Sequence, residues 1–437
     1  MRFLPDIYAL PSSEITRIQE ELLRETISRA ARTSPFYRNR FSSGEADAAG
    51  VRTLADLSRL SFTSKEDIQE RNRDFWAAPG GQLTEIVATT GTTGEPVYIA
   101  MTNQDLERLG ENERRGFSWL GAKPGERFHI AVTLDNLFVA GLAYRLGLHR
   151  VGATAIRVGA QPARRHLNLM KQLRPDGVVA VPSLLLALAC QAKKDGDDLA
   201  AFAPRRAMLI GDAIRSQSLA SNTLGRLIQD AWGGELFSTY GLTEAGLAYH
   251  ECPMHRGLHS HPDLVVTEIV DDGGRPVPDG EIGELVITTL QVEGMPLIRY
   301  RTGDVTFRVP GPCPCGMGGP RIGPILGRKQ QRLKVKGTTL YPKSIEDALL
   351  SVEGVENFVI EAHTGDDETD RLVVRIGTLR DDPCFSRMVG DTLYSKARVT
   401  PEIEVLSPVE VERLLFVGGR RKPRVFVDLR KTRGGSR

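Results

Sequence analysis

The chain has 437 residues, 41% of them hydrophobic and 26% charged, which is typical of a folded protein with room for two or three domains. Its 57 basic and 55 acidic residues nearly balance, which argues against a dedicated nucleic-acid-binding protein. Five cysteines are too few for a disulfide scaffold and favour a reducing compartment, so a cytoplasmic protein is expected.

The first predicted element is a helix over residues 12–32, where apolar residues recur at helical spacing after two serines. Further along, β-rich runs alternate with helical patterns. Such alternation is typical of an α/β fold with a largely parallel sheet. Strands are predicted at 127–133, 152–159, 176–183 and 205–212, and helices at 166–174 and 218–232.

The longest apolar run is GVVAVPSLLLALACQA, residues 177–192, which contains a proline. It is shorter than the roughly 20 residues that a membrane-spanning helix needs, so no membrane partner is expected. A buried strand leading into a core helix is favoured, with Cys190 as a core residue. The opening residues, MRFLPDIYALPSSE, contain no apolar segment long enough for a secretory signal, which again favours the cytoplasm.

The pattern changes near residue 260. Residues 263–290 predict two strands joined by glycine-rich turns, and therefore an antiparallel region. A smaller α+β segment follows, with strands at 357–363 and 371–377 and helices after Pro342 and over 384–398. We therefore expect a large N-terminal α/β domain over 1–327, with sheets flanked by helices plus a β-rich subdomain, and a small C-terminal α+β domain over 328–437.

Residues 89–96, TTGTTGEP, place four threonines and two glycines between apolar flanks. Glycines let a loop approach a phosphate closely, and backbone N–H groups and threonine hydroxyls donate hydrogen bonds to its oxygens. No lysine follows the second glycine, so the segment is not the GxxxxGK[ST] phosphate loop. An ordinary polar turn is the alternative.

Four downstream motifs favour the phosphate loop: STYGLTEAG at 238–246, RYRTGD at 299–304, GRKQQRLKVKG at 327–337 and GGRRKPRVFVD at 418–428. Further matches are SPFYRNRF, LSFTSKEDI, ECPMHRGLH, GEIGELVITTL and PCPCG. In this order the motifs resemble the adenylate-forming superfamily of acyl- and aryl-CoA ligases and peptide-synthetase adenylation domains, with the closest match to the phenylacetate-CoA ligase branch. The resemblance runs across nearly the whole chain.

The resemblance implies an enzyme in which a carboxylate attacks the α-phosphate of ATP, pyrophosphate leaves, and the acyl-adenylate is captured. ATP, Mg²⁺ and a small carboxylic acid are therefore expected, with coenzyme A as the default acceptor. A carrier-protein thiol and an amine remain alternative acceptors. The residues implied for ATP are Thr89, Thr90, Gly91, Thr92, Thr93 and Gly94 in the loop, Gly211, Asp212, Tyr240 and Gly241 near the adenine, and Asp304 and Arg328 near the ribose.

The resemblance also implies three residues at the reacting centre. Glu244 matches the magnesium ligand, and Thr243 is expected near the α-phosphate. Lys422, on the small mobile domain, matches the lysine that bridges the substrate carboxylate and the α-phosphate and stabilises the charge of the transition state.

Cys252, His259, Cys313 and Cys315 form a set of three thiols and one imidazole, in the pairs C-x6-H and C-x-C. This composition suits a structural zinc ion, and some members of the resembled branch carry zinc at the matching place. His255 and His261 are competing candidates for the imidazole ligand.

The acid pocket is expected around Asp135, Asn136, Phe138 and Ser183. Asp135 and Asn136 stand where aryl-CoA ligases of this branch have an aromatic–glycine pair. Because an unpartnered buried carboxylate is costly, Asp135 favours a substrate with a hydrogen-bond donor. A small amino- or hydroxy-substituted aromatic acid, or an amino acid, is therefore predicted.

Two departures from the family pattern indicate a specialised member, such as an enzyme of secondary metabolism. Glu95 replaces a lysine of the phosphate loop, and Gln330 stands without a charge at the hinge about which the small domain rotates. The alternative is a catalytically altered descendant that binds nucleotide or a partner protein. A homodimer is compatible with either.

Overall fold

The computed structural model describes residues 3–4, 6–43, 48–89, 96–335, 338–365, 369–380, 382, 384–417 and 423–430. Within these ranges the α-helices are α1 (Ser12–Thr33), α2 (Pro35–Ser42), α3 (Lys65–Glu70), α4 (Asn103–Trp119), α5 (Val139–Val151), α6 (Ala163–Leu173), α7 (Pro182–Asp195), α8 (Thr223–Trp232), α9 (Pro342–Leu350), α10 (Phe385–Ala397) and α11 (Pro408–Leu415). None of these helices is long and apolar enough to cross a membrane.

The strands, in chain order, are β1 (Leu83–Ala88), β2 (Tyr98–Thr102), β3 (Arg127–Ile130), β4 (Thr154–Arg157), β5 (Gly177–Ala180), β6 (Arg206–Ile210), β7 (Glu235–Leu242), β8 (Leu247–Glu251), β9 (Leu258–His259), β10 (Val265–Val270), β11 (Ile282–Thr289), β12 (Tyr300–Phe307), β13 (Arg321–Ile322), β14 (Gly327–Arg328), β15 (Leu333–Val335), β16 (Thr338–Leu340), β17 (Asn357–Thr364), β18 (Asp370–Gly377), β19 (Glu402–Leu406) and β20 (Phe426–Asp428). The predicted mixed α/β class is confirmed.

The chain divides into two compact units. Unit 1 comprises Met1–Ser221, Gly225–Thr302 and Thr306–Ile325, and unit 2 comprises Asn222–Leu224, Gly303–Val305 and Leu326–Arg437. That the functional domains divide at residue 327 stays a prediction.

The main sheet of unit 1 has the strand order β13-β9-β8-β7-β6-β5-β3-β4. Its strands β4, β3, β5, β6 and β7 pair in parallel, and β8, β9 and β13 extend it in antiparallel fashion. The predicted parallel region is therefore present, with shorter strands than expected. α8 begins at Thr223 rather than at residue 218 because Ser216–Ala220 form a turn, in which the Ser216 N–H donates to the Ala220 carbonyl at 2.8 Å.

The long apolar run forms the fully buried strand β5 followed by α7, as predicted. Cys190, however, is exposed, so its assignment to the core was wrong. α7 buries Leu185, Leu188 and Ala192, and the helical period places Cys190 on the opposite face.

A second sheet of unit 1 contains β10, β11 and β12 in that order, with β10 and β11 antiparallel, as predicted for residues 263–290. β1 and β2 form a separate antiparallel hairpin.

Unit 2 contains a sheet of order β19-β18-β17-β20 and the hairpin β15-β16. β17 and β18 are antiparallel, whereas β19 and β20 add in parallel at the two edges. α9 and α10 contribute Ile345, Leu349, Phe385, Val389 and Leu393 to its core. In the same unit, Asp304 and Val305 pair with β14.

α4, in unit 1, has a polar face that is buried. Thr102 caps its N-terminus, and Asp105 completes the capping box. The Asp105 carboxylate also accepts from the N–H groups of Glu293 and Gly294, both at 2.8 Å. A helix face with charged residues is usually exposed to solvent, so the sequence analysis did not predict a buried helix here.

Further along α4, Asn112 forms two hydrogen bonds with one residue of β8. Its Nδ2 donates to the Ala248 carbonyl at 3.0 Å, and its Oδ1 accepts from the Ala248 N–H at 2.8 Å. Asn112 is fully buried. The Asn112 side chain therefore pairs with the backbone N–H and carbonyl of Ala248, as a neighbouring strand would.

We predict that Asn112→Leu destabilises the protein, since the branched shape of the side chain is kept while two buried backbone groups lose their partner. Each unpaired group costs about 1–3 kcal/mol. Urea unfolding followed by circular dichroism measures the loss. Asn103→Leu, at an exposed position of the same helix, is the control and should change stability by less than about 0.5 kcal/mol. Equal effects of the two substitutions would contradict the prediction.

Candidate active site

The carboxyl ends of β3, β5, β6 and β7 lie at one edge of the main sheet, because these strands are neighbours and parallel. Ligands of open α/β sheets bind at this edge. The predicted site segments of unit 1 follow these four ends: residues 135–138 after β3, Ser183 after β5, residues 211–212 after β6, and residues 240–244 at the end of β7.

The ends of the threonine-rich loop are anchored beside this edge. The Thr89 N–H donates to the Val97 carbonyl at 3.0 Å, and the Val97 N–H donates to Thr89 Oγ1 at 3.2 Å. The Ala88 N–H donates to the Leu137 carbonyl at 2.8 Å, which joins β1 to the segment after β3. The other predicted phosphate residues, Thr90, Gly91, Thr92, Thr93 and Gly94, and Glu95 lie outside the described residues.

The segment after β3 is conformationally strained. Asn136 and Leu137 have φ values of +54° and +58°, a region that residues other than glycine rarely adopt. Such strain costs about 1–3 kcal/mol per residue and is concentrated at functional sites. The carbonyl that accepts from Ala88 at the end of β1 belongs to Leu137, so the strained turn positions the start of the threonine-rich loop.

Thr243 and Glu244 lie in the turn of residues 243–246 that joins β7 to the antiparallel β8. Both are half-buried. The Tyr300 hydroxyl, on β12, donates to Glu244 Oε1 at 3.3 Å. The Gly246 N–H closes the turn by donating to the Thr243 carbonyl at 3.1 Å. The carboxylate is thus held at a half-exposed position.

The predicted adenine residues lie on two adjacent strand ends, because β6 and β7 pair in parallel. Gly211 has φ +100°, a conformation that requires glycine at this turn. Tyr240 is half-buried and contacts the Tyr249 ring with centroids 5.9 Å apart, and Gly241 is exposed. The Tyr240 side chain is therefore packed against the core on one side and accessible to solvent on another.

The predicted acid-pocket residues follow β3 and β5, but they are less enclosed than expected. Asp135, Asn136 and Ser183 are exposed, and Phe138 is half-buried. The desolvation argument therefore does not apply to Asp135, because water solvates its carboxylate. The substituted substrate predicted from that argument has no support from burial.

Two further predicted residues lie in unit 2. Asp304 is buried, and its Oδ1 lies 3.4 Å from Nε of the more exposed Arg328 across the β12–β14 pair. At the predicted hinge, the Gln330 carbonyl accepts from Arg430 Nη2 at 3.1 Å. The predicted catalytic lysine, Lys422, lies outside the described residues.

Unit 1 also contains a candidate metal centre. The ligand atoms of Cys252, His259, Cys313 and Cys315 all lie within 4.8 Å of one another. The Cys252 and Cys313 sulfurs are 3.7 Å apart, and Cys315 Sγ is 3.5 Å from His259 Nε2. Three thiols and one imidazole at these separations fit the donors of a tetrahedral zinc site.

Burial raises the pKa of the Cys252 thiol to about 12 and lowers the pKa of His259 to about 4. The imidazole is therefore neutral, as a metal ligand must be, whereas the Cys252 thiol has to lose its proton when a metal binds. The two competing histidines have other partners: His261 contacts Tyr8 Oη at 2.5 Å, and His255 contacts Glu251 at 3.1 Å.

Two residues beside Glu244 were not among the predicted site residues. Tyr300 had a sequence signal, because it belongs to the RYRTGD motif. Arg108 of α4 had none: its guanidinium is buried and donates to the carbonyls of Ala245 and Gly246 at 3.1 and 3.0 Å.

Comparison with known proteins identifies the family of this site. The family model described as "AMP-binding enzyme" matches residues 39–294. The chain is 33% identical to a phenylacetate-coenzyme A ligase of Thermus thermophilus over 361 residues, 81% of this chain and 79% of the relative. It is 30% identical to the phenylacetate-coenzyme A ligase of Escherichia coli K12, over 78% of this chain and 77% of that protein.

A solved structure has the same fold. The crystal structure of 2-hydroxyisobutyryl-CoA ligase with 2-HIB-AMP aligns with a TM-score of 0.85 at 20% identity, covering 97% of this chain and 91% of that one. Fold, motifs and relatives agree: the chain belongs to the adenylate-forming family of AMP-binding enzymes, in its phenylacetate-CoA ligase-like branch, and is an AMP-forming ligase that activates a carboxylic acid with ATP.

Proposed function

We propose that the enzyme activates a small aromatic acid and transfers the acyl group to the thiol of coenzyme A. The observation that carries the proposal is that the motif segments of unit 1 follow neighbouring strand ends at one sheet edge, where nucleotides bind in open α/β folds. The chain spans most of the length of relatives named as phenylacetate-coenzyme A ligases, which makes aryl acids the first substrates to test.

The proposed reaction has two steps. In the first, a carboxylate oxygen of the acid bonds to the α-phosphorus of ATP while the bond to the leaving pyrophosphate breaks. In the second, the thiol sulfur bonds to the acyl carbon, AMP leaves, and the thiol proton passes to water. Both steps develop negative charge, so donors and cations fixed before reaction supply the catalysis.

Each group has a proposed role in holding the reactants. The Thr89 hydroxyl and the loop that follows it would donate to phosphate oxygens, and the Thr243 hydroxyl would contact the α-phosphate. Asp304 would accept from the ribose hydroxyls, as a carboxylate does well. Lys422 would neutralise the charge shared by the substrate carboxylate and the α-phosphate.

Glu244 would hold Mg²⁺, because a hard cation prefers carboxylate oxygen. The residues fit this role: Glu244 is half-buried, and the Tyr300 hydroxyl donates to one oxygen of its carboxylate. The cation would neutralise phosphate charge during pyrophosphate release.

The nature of the acid is the open part of the proposal. Asp135 and Asn136 would lie at the mouth of the pocket rather than within it, since both are exposed. We therefore expect no strong preference between phenylacetate-like acids and their hydroxy- or amino-substituted forms, because no buried carboxylate selects the substituent. Carrier-protein thiols and amines remain alternative acceptors.

We predict acid-dependent release of pyrophosphate from ATP and Mg²⁺ with one class of aryl acid, lost at least about 100-fold in Lys422→Ala because a cation at the developing charge is removed. A coupled pyrophosphate assay over aryl, hydroxy and amino acids measures it. Arg421→Ala, which removes the neighbouring cation, is the matched control and should retain most activity.

Two outcomes would count against this assignment. Equal loss in both variants would indicate a general effect of the basic segment rather than a catalytic lysine. ATP binding without release for any acid would favour the altered, non-catalytic descendant.

We also propose that the cluster of Cys252, His259, Cys313 and Cys315 holds a structural zinc ion. We predict one equivalent of zinc in protein dialysed after zinc loading, measured by plasma mass spectrometry. Cys313→Ser should lose most of the metal and lower the melting temperature, since serine is a poor zinc ligand. Cys190→Ser, at an exposed position outside the cluster, should keep the zinc content and the melting temperature of the wild type. Equal zinc in the two variants would reject the site.

A further inference from the structure

Arg108 is a buried charged residue of unit 1 that has no role in the proposed mechanism. Its side chain is 1% exposed and carries no hydrogen-bonded carboxylate among the described residues. Desolvating a charged group is unfavourable unless its surroundings compensate. Burial lowers the pKa of Arg108 to about 10, which leaves the guanidinium charged at neutral pH.

Four backbone carbonyls compensate this charge. Nε donates to Leu290 at 3.0 Å, Nη2 donates to Leu264 at 2.6 Å, and Nη1 donates to both Ala245 and Gly246. The rigid fork of a guanidinium matches several acceptors at once, which a lysine ammonium cannot do in the same geometry. Arg108 therefore ties α4 to three separate loops.

Two of these four bonds fall on the turn that carries Thr243 and Glu244. Ala245 and Gly246 immediately follow Glu244, and both of their carbonyls face one nitrogen of Arg108. Gly246 has φ +53°, which turns the two successive carbonyls toward the same side. Arg108 thus fixes the backbone that follows Glu244, while the Tyr300 hydroxyl contacts the Glu244 carboxylate itself.

We propose that Arg108 is a positioning residue that fixes the 243–246 turn so that the Glu244 carboxylate is preorganised to bind the magnesium ion of the adenylation reaction. The inference rests on the proposed function, because it takes Glu244 as the magnesium ligand. A group that orients a metal ligand contributes to metal affinity without touching the metal.

The test compares Arg108→Met and Arg108→Lys with Glu244→Gln in two measurements: the pyrophosphate assay with free Mg²⁺ varied at fixed ATP, and Mn²⁺ binding to the enzyme–ATP complex without the acid, followed by electron paramagnetic resonance. We expect Arg108→Met to raise the Mg²⁺ concentration at half-maximal rate about 10- to 100-fold, the range for outer-shell partners of metal ligands. KM for the acid should stay within about twofold of the wild-type value. Arg108→Lys should shift the Mg²⁺ dependence by an intermediate amount, and it provides the test if Arg108→Met does not fold.

Arg321→Met is the matched control, because Arg321 is also buried and donates to backbone carbonyls, those of Arg256 and Gly311. It should lower the melting temperature without changing the Mg²⁺ dependence. If Glu244→Gln shifts the Mg²⁺ dependence and neither Arg108 variant does, Arg108 is only structural and the inference is wrong. If the wild type releases pyrophosphate but Glu244→Gln leaves the Mg²⁺ dependence unchanged, the magnesium role of Glu244 is wrong, and the inference falls with it.

Discussion

The guanidinium of Arg108 imposes the strictest constraint on unit 1. A charge buried to this degree must have its donors satisfied, and four backbone carbonyls from three loops do so. Asp105 and Asn112 lie on the same helix face and are also buried. Their polar side-chain atoms form hydrogen bonds with backbone groups of distant segments. α4 thus specifies where the β7–β8 hairpin and the 290–294 loop lie, which an apolar helix face of equal area would leave less defined.

This arrangement gives the site a rigid base. The parallel strands place four strand ends along one edge, and α4 holds the turn after the last of them. On the other side, the strained residues Asn136 and Leu137 hold the start of the threonine-rich loop through a single backbone hydrogen bond. Groups that would hold a metal or a phosphate are best placed on rigid elements of this kind.

Hydrophobic period and ordered motifs were sufficient to predict the α/β class, the parallel strands and the helix α1, because burial of apolar residues determines these features directly. The same rules failed at Cys190, where a continuous apolar run concealed which face of α7 is exposed. They also gave no sign of α4, since Asp105, Arg108 and Asn112 have the composition of a solvated face. Burial of polar side chains depends on backbone acceptors far away in sequence, and no local pattern encodes those partners. For the same reason the exposure of Asp135 could not be foreseen.

A metal ion at the candidate centre would stabilise this framework rather than take part in the reaction. β8 begins after the turn of Thr243 and Glu244 and ends at Glu251, directly before Cys252. Five extended residues span about 16 Å, so a metal at Cys252 lies too far along the strand to contact a phosphate held near Glu244. Glu251 links the two regions: its carboxylate accepts from the Ser238 N–H on β7 and pairs with Arg215, which follows the turn of Gly211 and Asp212. Arg108 and Asn112 hold the start of β8. The proposed zinc ion would hold the other end, and it would then act on catalysis only through this strand.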